Sequence, residues 1–381
     1  MSRRRRAAVA TLGACLALAS AGVPARAAPA HSVSLSAGLS SFYDDNILQY
    51  SSAQIADFES GAHPDRFSIE SRDDLVLAPY VALAWRLDQG RGRRHVLRLK
   101  SEGSFHDKNG TADSHSFSVG WREGFRGGHQ LALGYYTLPH YYLRQLLDED
   151  AVIAFPGLSR YRRAALGLRI GSAAWTQRLG RRNHLLLGYQ YEQRSYNADF
   201  RERDSGLHQG VLELGRDRMP RHGGVDAHGG YQVSHARASD SDEVAGTTPD
   251  DADLSYHGIL AGAGGRMDFV RGRRARLGGD LAYEFETRRY ESDRPADKYH
   301  FGRHDARHTV ELGLRAVLRS HWALRGFYHI EDNAATLGSS APIVSDAGSY
   351  RQNQVGLAFE WTGLVWRKAR EAAAGEGEGD N

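Results

Sequence analysis

The sequence predicts an all-β fold: a transmembrane, antiparallel, up-and-down β-barrel of about fourteen strands, with short periplasmic turns and long extracellular loops. Three observations carry that prediction. The chain opens on an export signal, its apolar residues then recur with period two, and its connections alternate between short and long. Composition agrees. The 381 residues are 41% hydrophobic with a mean hydropathy of −0.54, which excludes a polytopic helical membrane protein. A barrel stays open, because alternating strands dilute the apolar signal. With 43 Gly, 10 Pro and 18 Tyr, the chain suits strands and tight turns. A net charge of +3 gives no case for nucleic acid as a partner, and the lone Cys15 excludes a disulfide framework or a cysteine zinc site.

The export signal comes first. Arg3, Arg4, Arg5 and Arg6 form a positive head, and residues 7–25 are uncharged and rich in Ala and Leu. Ala25-Arg26-Ala27 reads as a cleavage site, with Ala28-Pro29-Ala30 as a second choice. An uncleaved anchor helix fits less well, because Thr11, Gly13, Gly22 and Pro24 interrupt the run. Leu12-Gly13-Ala14-Cys15 has the look of a lipidation box, but the apolar stretch continues past Cys15. Loss of residues 1–27 removes five arginines and moves the net charge from +3 to −2. The expected organisation is therefore a signal peptide over 1–27, a barrel over 28–366 and a disordered periplasmic tail over 367–381, with the outer membrane as destination.

The strands follow. Leu75, Leu77, Val81, Leu83, Trp85 and Leu87 share one face; Val76, Ala78, Tyr80, Ala82, Ala84 and Arg86 share the other. Leu131, Leu133, Tyr135, Thr137 and Tyr141 oppose Gln130, Ala132, Gly134, Tyr136, His140 and Arg144 in the same way. Comparable segments recur at 32–43, 94–106, 112–122, 161–177, 184–195, 207–215, 223–236, 254–266, 275–290, 304–318, 321–331 and 350–363. Small residues blur the alternation at 207–215 and 254–266.

The connections sort by length and by charge. The six short ones carry 16 Lys/Arg against 4 Asp/Glu, and the seven long ones carry 9 against 28. Loops that are merely polar predict no such sign difference, so the two ends face different compartments. The acidic loops either hold divalent cations near lipopolysaccharide or are simply solvated. Asp240, Asp242, Glu243, Asp250, Asp251 and Asp253 lack the spacing and glycine of a calcium loop. In the third long loop, the apolar stretch Ala151–Gly157 either folds inward as a constriction or packs on neighbouring loops.

With the apolar phase on lipid, the other phase lines the interior. It holds Arg98, Lys100, Glu102, Arg169, Glu192, Arg194, Glu213, Asp226, Asp280, Glu284, Glu286, Arg288, Glu311, Arg315, Arg325 and Glu360. A charge turned to lipid near the midplane costs about 2–4 kcal/mol, which drives this phase inward. The interior is then either a polar, water-filled pathway selecting solutes by charge and size, or a salt-bridged core that stiffens a closed barrel. Aromatic girdles at the two membrane interfaces account for Phe42, Tyr43, Trp85, Trp121, Tyr141, Tyr142, Trp322, Tyr350, Trp361 and Trp366. Catalytic pairs are sparse. His115-Ser116 and Ser234-His235 lie in no known motif, and His300, His304 and His308 have helical spacing inside a strand-like segment. No cofactor, no metal and no enzymatic activity are expected.

Gln354-Val355-Gly356-Leu357-Ala358-Phe359-Glu360-Trp361 resembles the barrel-assembly signal of bacterial outer-membrane proteins: polar, any, Gly, any, any, apolar, any, aromatic. The carriers are Gln354, Gly356, Phe359 and Trp361; the chain departs from that family by running on to Asn381. Tyr43-Asp44-Asp45-Asn46-Ile47, followed by Leu75-Val76-Leu77-Ala78-Pro79, resembles β-barrel porins, some of them linked to exopolysaccharide export. The strand count is also similar to surface-lipoprotein assembly modifiers, but there is no room here for their helical-repeat domain. The resemblance implies a channel for a polar, saccharide-like solute. It also implies the barrel-assembly machinery and outer-membrane lipid or lipopolysaccharide as partners. A barrel enzyme acting on lipid or peptide, and a closed surface-interaction barrel, are the alternatives.

Overall fold

A computed structural model describes residues 30–90, 92–147, 161–217, 219, 223–237, 253–272, 275–292, 297, 299–318, 321–338 and 348–368. The signal peptide, most of the third long loop, residues 240–251 and the tail beyond 368 lie outside these. The strands are β1 Ala30–Asp44, β2 Asp74–Gly90, β3 Arg93–His106, β4 Ser114–Gly124, β5 Gln130–Leu147, β6 Tyr161–Leu179 and β7 Asn183–Tyr196. They continue with β8 Ser205–Arg216, β9 Gly224–Ala236, β10 Tyr256–Arg271, β11 Ala275–Tyr290, β12 His304–Leu318, β13 Trp322–Thr336 and β14 Tyr350–Lys368. Each pairs antiparallel with its chain neighbours, and β1 pairs with β14 to close the ring. All fourteen expected strands are present, including the two whose alternation was blurred.

Closure leaves no open strand edge in the wall, which hydrocarbon demands. At the seam, His31–Asp44 runs in register against Gln354–Lys368, with one bulge after Val33. Gly356 is packed there. A Cβ at this position would lie 2.6 Å from the Ser41 carbonyl oxygen and 2.7 Å from the Phe327 ring. Within the resembled signal, Gln354 and Gly356 face inward, whereas Phe359 and Trp361 face outward in register with Leu39 and Ala37.

The outer wall carries the apolar phase. Leu75, Leu77, Val81 and Leu83 of β2 are exposed, as are Leu187, Leu212, Leu281, Leu314 and Leu357 around the ring. All six tryptophans, Trp85, Trp121, Trp175, Trp322, Trp361 and Trp366, take this outer phase toward the short-turn ends of their strands. Amphipathic indoles settle at such an interface, so they mark the periplasmic edge of the lipid band. These features place the protein in the outer membrane.

Four expected girdle aromatics turn inward instead. Phe42 is buried against Phe327, Tyr141 and Tyr142 pack in internal apolar clusters, and the Tyr350 hydroxyl donates to Glu331. For Tyr141 and Tyr142 the cause is a pair of irregularities in β5, after Leu138 and after Tyr142, which break the alternation.

Arg169 is a further correction. It lies on the outer face of β6, in register with Thr137 and Gln193, while Leu166, Leu168 and Ile170 point inward onto Leu138. The interior beside this wall is packed protein, so the apolar phase of β6 belongs inside and its polar phase outside. A charge on the outer face costs only about 0–1 kcal/mol near an interface, which is where the loop-side half of β6 places Arg169.

The 29 residues between β1 and β2 hold a helix, α1 (Ser52–Ser60), that the alternation gave no sign of. Ser51 caps it, accepting from the Gln54 amide while the Gln54 side chain accepts from the Ser51 amide. Such a cap is worth about 1 kcal/mol. Gly61 ends the helix at φ 70°, and Arg66 pairs with Asp57 at 2.9 Å. Ile55, Phe58 and Phe67 pack on buried Ile47, Leu48, Tyr50, Ile69 and Tyr142.

Gly356→Val should prevent seam closure, costing more than about 3 kcal/mol through backbone overlap. Gly171→Ala, where a Cβ meets nothing within 4 Å, should be neutral. Heat-dependent gel mobility of the refolded proteins reads both outcomes.

Candidate functional site: the lumen and its constriction

Fifteen of the sixteen expected lumen residues face inward; Arg169 alone does not. They divide into two zones. Toward the periplasmic end the charges are partly exposed. The Arg325 guanidinium donates to Asp280 at 2.6 Å and to Glu311 at 2.7 Å. Lys100 reaches Glu102 at 3.1 Å and lies 4.6 Å from the centre of the Tyr80 ring. Glu360 lies within electrostatic range of the Tyr80 hydroxyl. Glu213 meets His184 at 3.3 Å, Arg315 is exposed, and Arg98, Asp226 and Glu284 line the wall between.

Toward the extracellular end the charges are buried and densely paired. Arg194 donates to Glu192 at 2.7 Å, and Arg288 donates to Glu286 at 2.6 Å. Glu286 also receives Arg307 and, at 2.6 Å, the Gln232 amide. Glu331, fully buried, is shared by Arg307 at 3.7 Å, Tyr350 and His329. Arg303 forks onto Asp305 at 2.7 and 2.9 Å. Arg307, Glu331, Asp305, Gln232 and Tyr350 were not anticipated as lining residues. Their strands alternate cleanly, so a full list of inward positions would have included them.

The first long loop enters the lumen. At its root, the Asp44 carboxylate accepts from Gln352 at 2.8 and 2.9 Å and from Gln354. The Asn46 amide donates to the Tyr50 carbonyl at 2.8 Å and to the Arg351 carbonyl at 2.9 Å. The chain then crosses the lumen. Gln49 donates to Glu331 and Gln352, each at 3.3 Å, on β13 and β14. Arg144 of β5, five strands from β14 and six from β13 round the ring, donates to the carbonyls of Leu48 at 2.9 Å and Gln49 at 3.3 Å. Its guanidinium stacks 5.2 Å from the Tyr50 ring centre and lies within electrostatic range of Arg303 and Tyr350. Gln49 has a left-handed backbone, φ 57°, which costs a non-glycine residue roughly 1–2 kcal/mol. Contacts to both walls hold it there. Among the described residues, the inward loop is thus the first long one. The third, where the sequence placed a possible constriction, lies outside the described residues.

The candidate catalytic pairs are not assembled. His115 faces outward and bonds Ser101, while Ser116 faces inward; Ser234 and His235 likewise point to opposite faces of β9. His304 and His308 lie on the outer face of β12, and His300 is buried in the preceding loop. There the His300 ring bonds Asp297 at 2.9 Å, and Asp297 accepts the Asp253 amide at 3.0 Å. This latch ties the loop before β10 to the loop before β12. Asp253 accepts from the Ser255 amide, and the other acids of its cluster lie outside the described residues.

No family model matches the chain, and no curated protein does. Solved outer-membrane barrels are similar in architecture. An anion-selective porin from Comamonas acidovorans is 10% identical, covering 88% of this chain and 100% of its own, with a TM-score of 0.41. The outer membrane channel DcaP of Acinetobacter baumannii is 11% identical, covering 90% and 100%, with a TM-score of 0.45. A bacterial polysaccharide outer membrane secretin is 12% identical, covering 87% and 98%, with a TM-score of 0.42.

The latch should respond to acid. Burial, reinforced by Arg303 and Arg203, pushes the His300 imidazole down, outweighing the pull of Asp297. Burial would raise the Asp297 carboxyl, but the His300 bond and charge hold it below its usual range. Both groups are depressed in the closed latch, so its stability is present above their ordinary ranges and lost as pH falls. The open loop gains protons first, near pH 6.5 for the imidazole. Amide protection factors, exchange rates corrected for their intrinsic pH dependence, over 253–257 and 299–303 should fall between pH 7.5 and pH 5, and His300→Gln should flatten the imidazole part of that change.

Proposed function

We propose that the protein is an outer-membrane channel through which a polar, saccharide-like solute diffuses, with the first long loop as its constriction. One observation carries the reading. Among the described residues, Arg194 Nη2, Arg288 Nη2, Gln190 Nε2, Gln232 Oε1 and Gln354 Oε1 are buried inward-facing atoms with no hydrogen-bond partner in the protein. An unmet buried polar group costs about 1–3 kcal/mol, so such atoms are met by water or by a solute. Donors and acceptors spread around the lumen, on β7, β9, β11 and β14, match hydroxyl-rich molecules, which both give and accept hydrogen bonds. Tyrosines among them supply flat, amphipathic surface. Lipopolysaccharide outside and the barrel-assembly machinery, through Gln354, Gly356, Phe359 and Trp361, are the partners this reading keeps.

The second reading is a closed structural barrel. It draws on the same upper lumen, where Glu286 and Glu331 are each shared by several donors and the loop bridges opposite walls. Planar-bilayer recording separates the two. The channel should conduct steadily, and Arg144→Ala, which releases the Leu48 and Gln49 carbonyls, should raise unit conductance severalfold. Arg325→Ala should move selectivity toward cations and Glu284→Ala toward anions, while Arg169→Gln should leave conductance and selectivity unchanged. A correctly folded but silent barrel sinks the channel and leaves the closed form.

A further inference from the structure

The outer wall is not evenly covered. Across β9 to β13 a groove of about 730 Å³ opens on the lipid-facing side, within the size range of small-ligand sites. Its floor exists because outward positions on two strands carry no side chain. A Cβ at Gly265 would find its nearest neighbour at 3.9 Å, and one at Gly326 at 3.7 Å. Val225, Met267, Leu281, Leu312 and Leu314 stand around this floor, each well exposed. The groove starts at the periplasmic turn, where Met219 and Gly223 line it, and climbs to Leu312 and Tyr328 toward mid-wall. It therefore occupies the periplasmic half of the lipid band, the half that also holds the tryptophan belt.

The charge at its foot identifies the occupant. Arg216 is in register with Val225 on the outer face and is exposed. Arg266 borders the groove through its backbone, but its side chain turns to the lumen side with Asp280 and bonds Asp217 at 3.0 Å, which leaves Arg216 as the lipid-side charge here among the described residues. The short turns at this end carry 16 basic against 4 acidic residues. A narrow apolar channel in the hydrocarbon, with a guanidinium at the headgroup level, fits one acyl chain beneath one phosphate. We propose that this groove is a binding site for an anionic phospholipid of the periplasmic leaflet, with an acyl chain along Gly265 and Gly326 and the phosphate on Arg216. A second barrel fits less well, because a stable protein interface buries about 1,200–2,000 Å² across facing surfaces, while this feature is a narrow concavity in a convex wall.

The test extracts the full barrel from mixed phosphatidylethanolamine and phosphatidylglycerol vesicles and weighs it by native mass spectrometry. The wild type should retain one phosphatidylglycerol. Gly326→Leu and Gly265→Leu, which fill the groove without backbone overlap, should cut retention by about tenfold, equivalent to about 1.4 kcal/mol. Heat-dependent gel mobility verifies that both variants still fold. Arg216→Ala should keep a lipid but lose the preference for phosphatidylglycerol. Equal retention by the wild type and both leucine variants overturns the site. Indifference of the wild type to headgroup overturns its anionic character. A lipid-free dimer that Gly326→Leu converts to monomer assigns the groove to a second copy instead.

Discussion

Hydrocarbon offers a backbone amide no hydrogen-bond partner, so a strand in the bilayer must be paired along both edges. The seam between β1 and β14 meets that demand for the last open edges, and the rest of the molecule depends on it. Once the ring is closed, each side chain has two destinations, lipid or lumen, fixed by parity. Leucines on the outer parity and charges on the inner are consequences of closure. So is the close packing of Gly356, because the seam joins two strands at opposite ends of the sequence and leaves no room for a side chain at that contact.

The seam also launches the inward loop. Asp44 ends β1, and its carboxylate is held by Gln352 and Gln354 of β14. This charge is buried at the top of the seam, and paired amide donors make burial tolerable. The chain leaves Asp44 already facing inward, and Asn46 bonds the Arg351 carbonyl to keep it there. A capped helix and a small apolar cluster then give the loop a core of its own. The crossing at Gln49 and Arg144 is thus anchored at both walls, and its left-handed residue persists because its surroundings over-determine it.

The strands were legible because parity leaves a residue-by-residue imprint, and fifteen inward charges follow from it. What parity could not show is what lies against each face. On β6 the interior is protein rather than water, so Leu166, Leu168 and Ile170 point inward and Arg169 outward, inverting the rule that apolar means lipid. Phe42, Tyr141, Tyr142 and Tyr350 fail as girdle residues for a related reason: an aromatic near a strand end has the same composition whether it meets headgroups or an inward loop. The loop was hidden because inward folding depends on Arg144, Glu331 and Gln352, which lie roughly 100 to 300 residues from it in sequence. The Tyr43–Ile47 run did signal its root, since Asp44 and Asn46 are the anchoring groups.

In the channel proposed above, the two zones of the lumen would be unequal as determinants of passage. Near the periplasm the side chains of Lys100, Arg325 and Asp280 are 23%, 33% and 37% exposed, so water screens their fields. Above, Glu192, Glu286 and Glu331 are 2% exposed or less, and charges so removed from water act at a lower effective dielectric. A solute reaching that level meets stronger fields and wall atoms still lacking hydrogen-bond partners. It also meets them where the loop from β1 has narrowed the path. In the proposed channel, discrimination would therefore concentrate in the upper network, and the lower charges would act mainly on the population of solutes that approaches it.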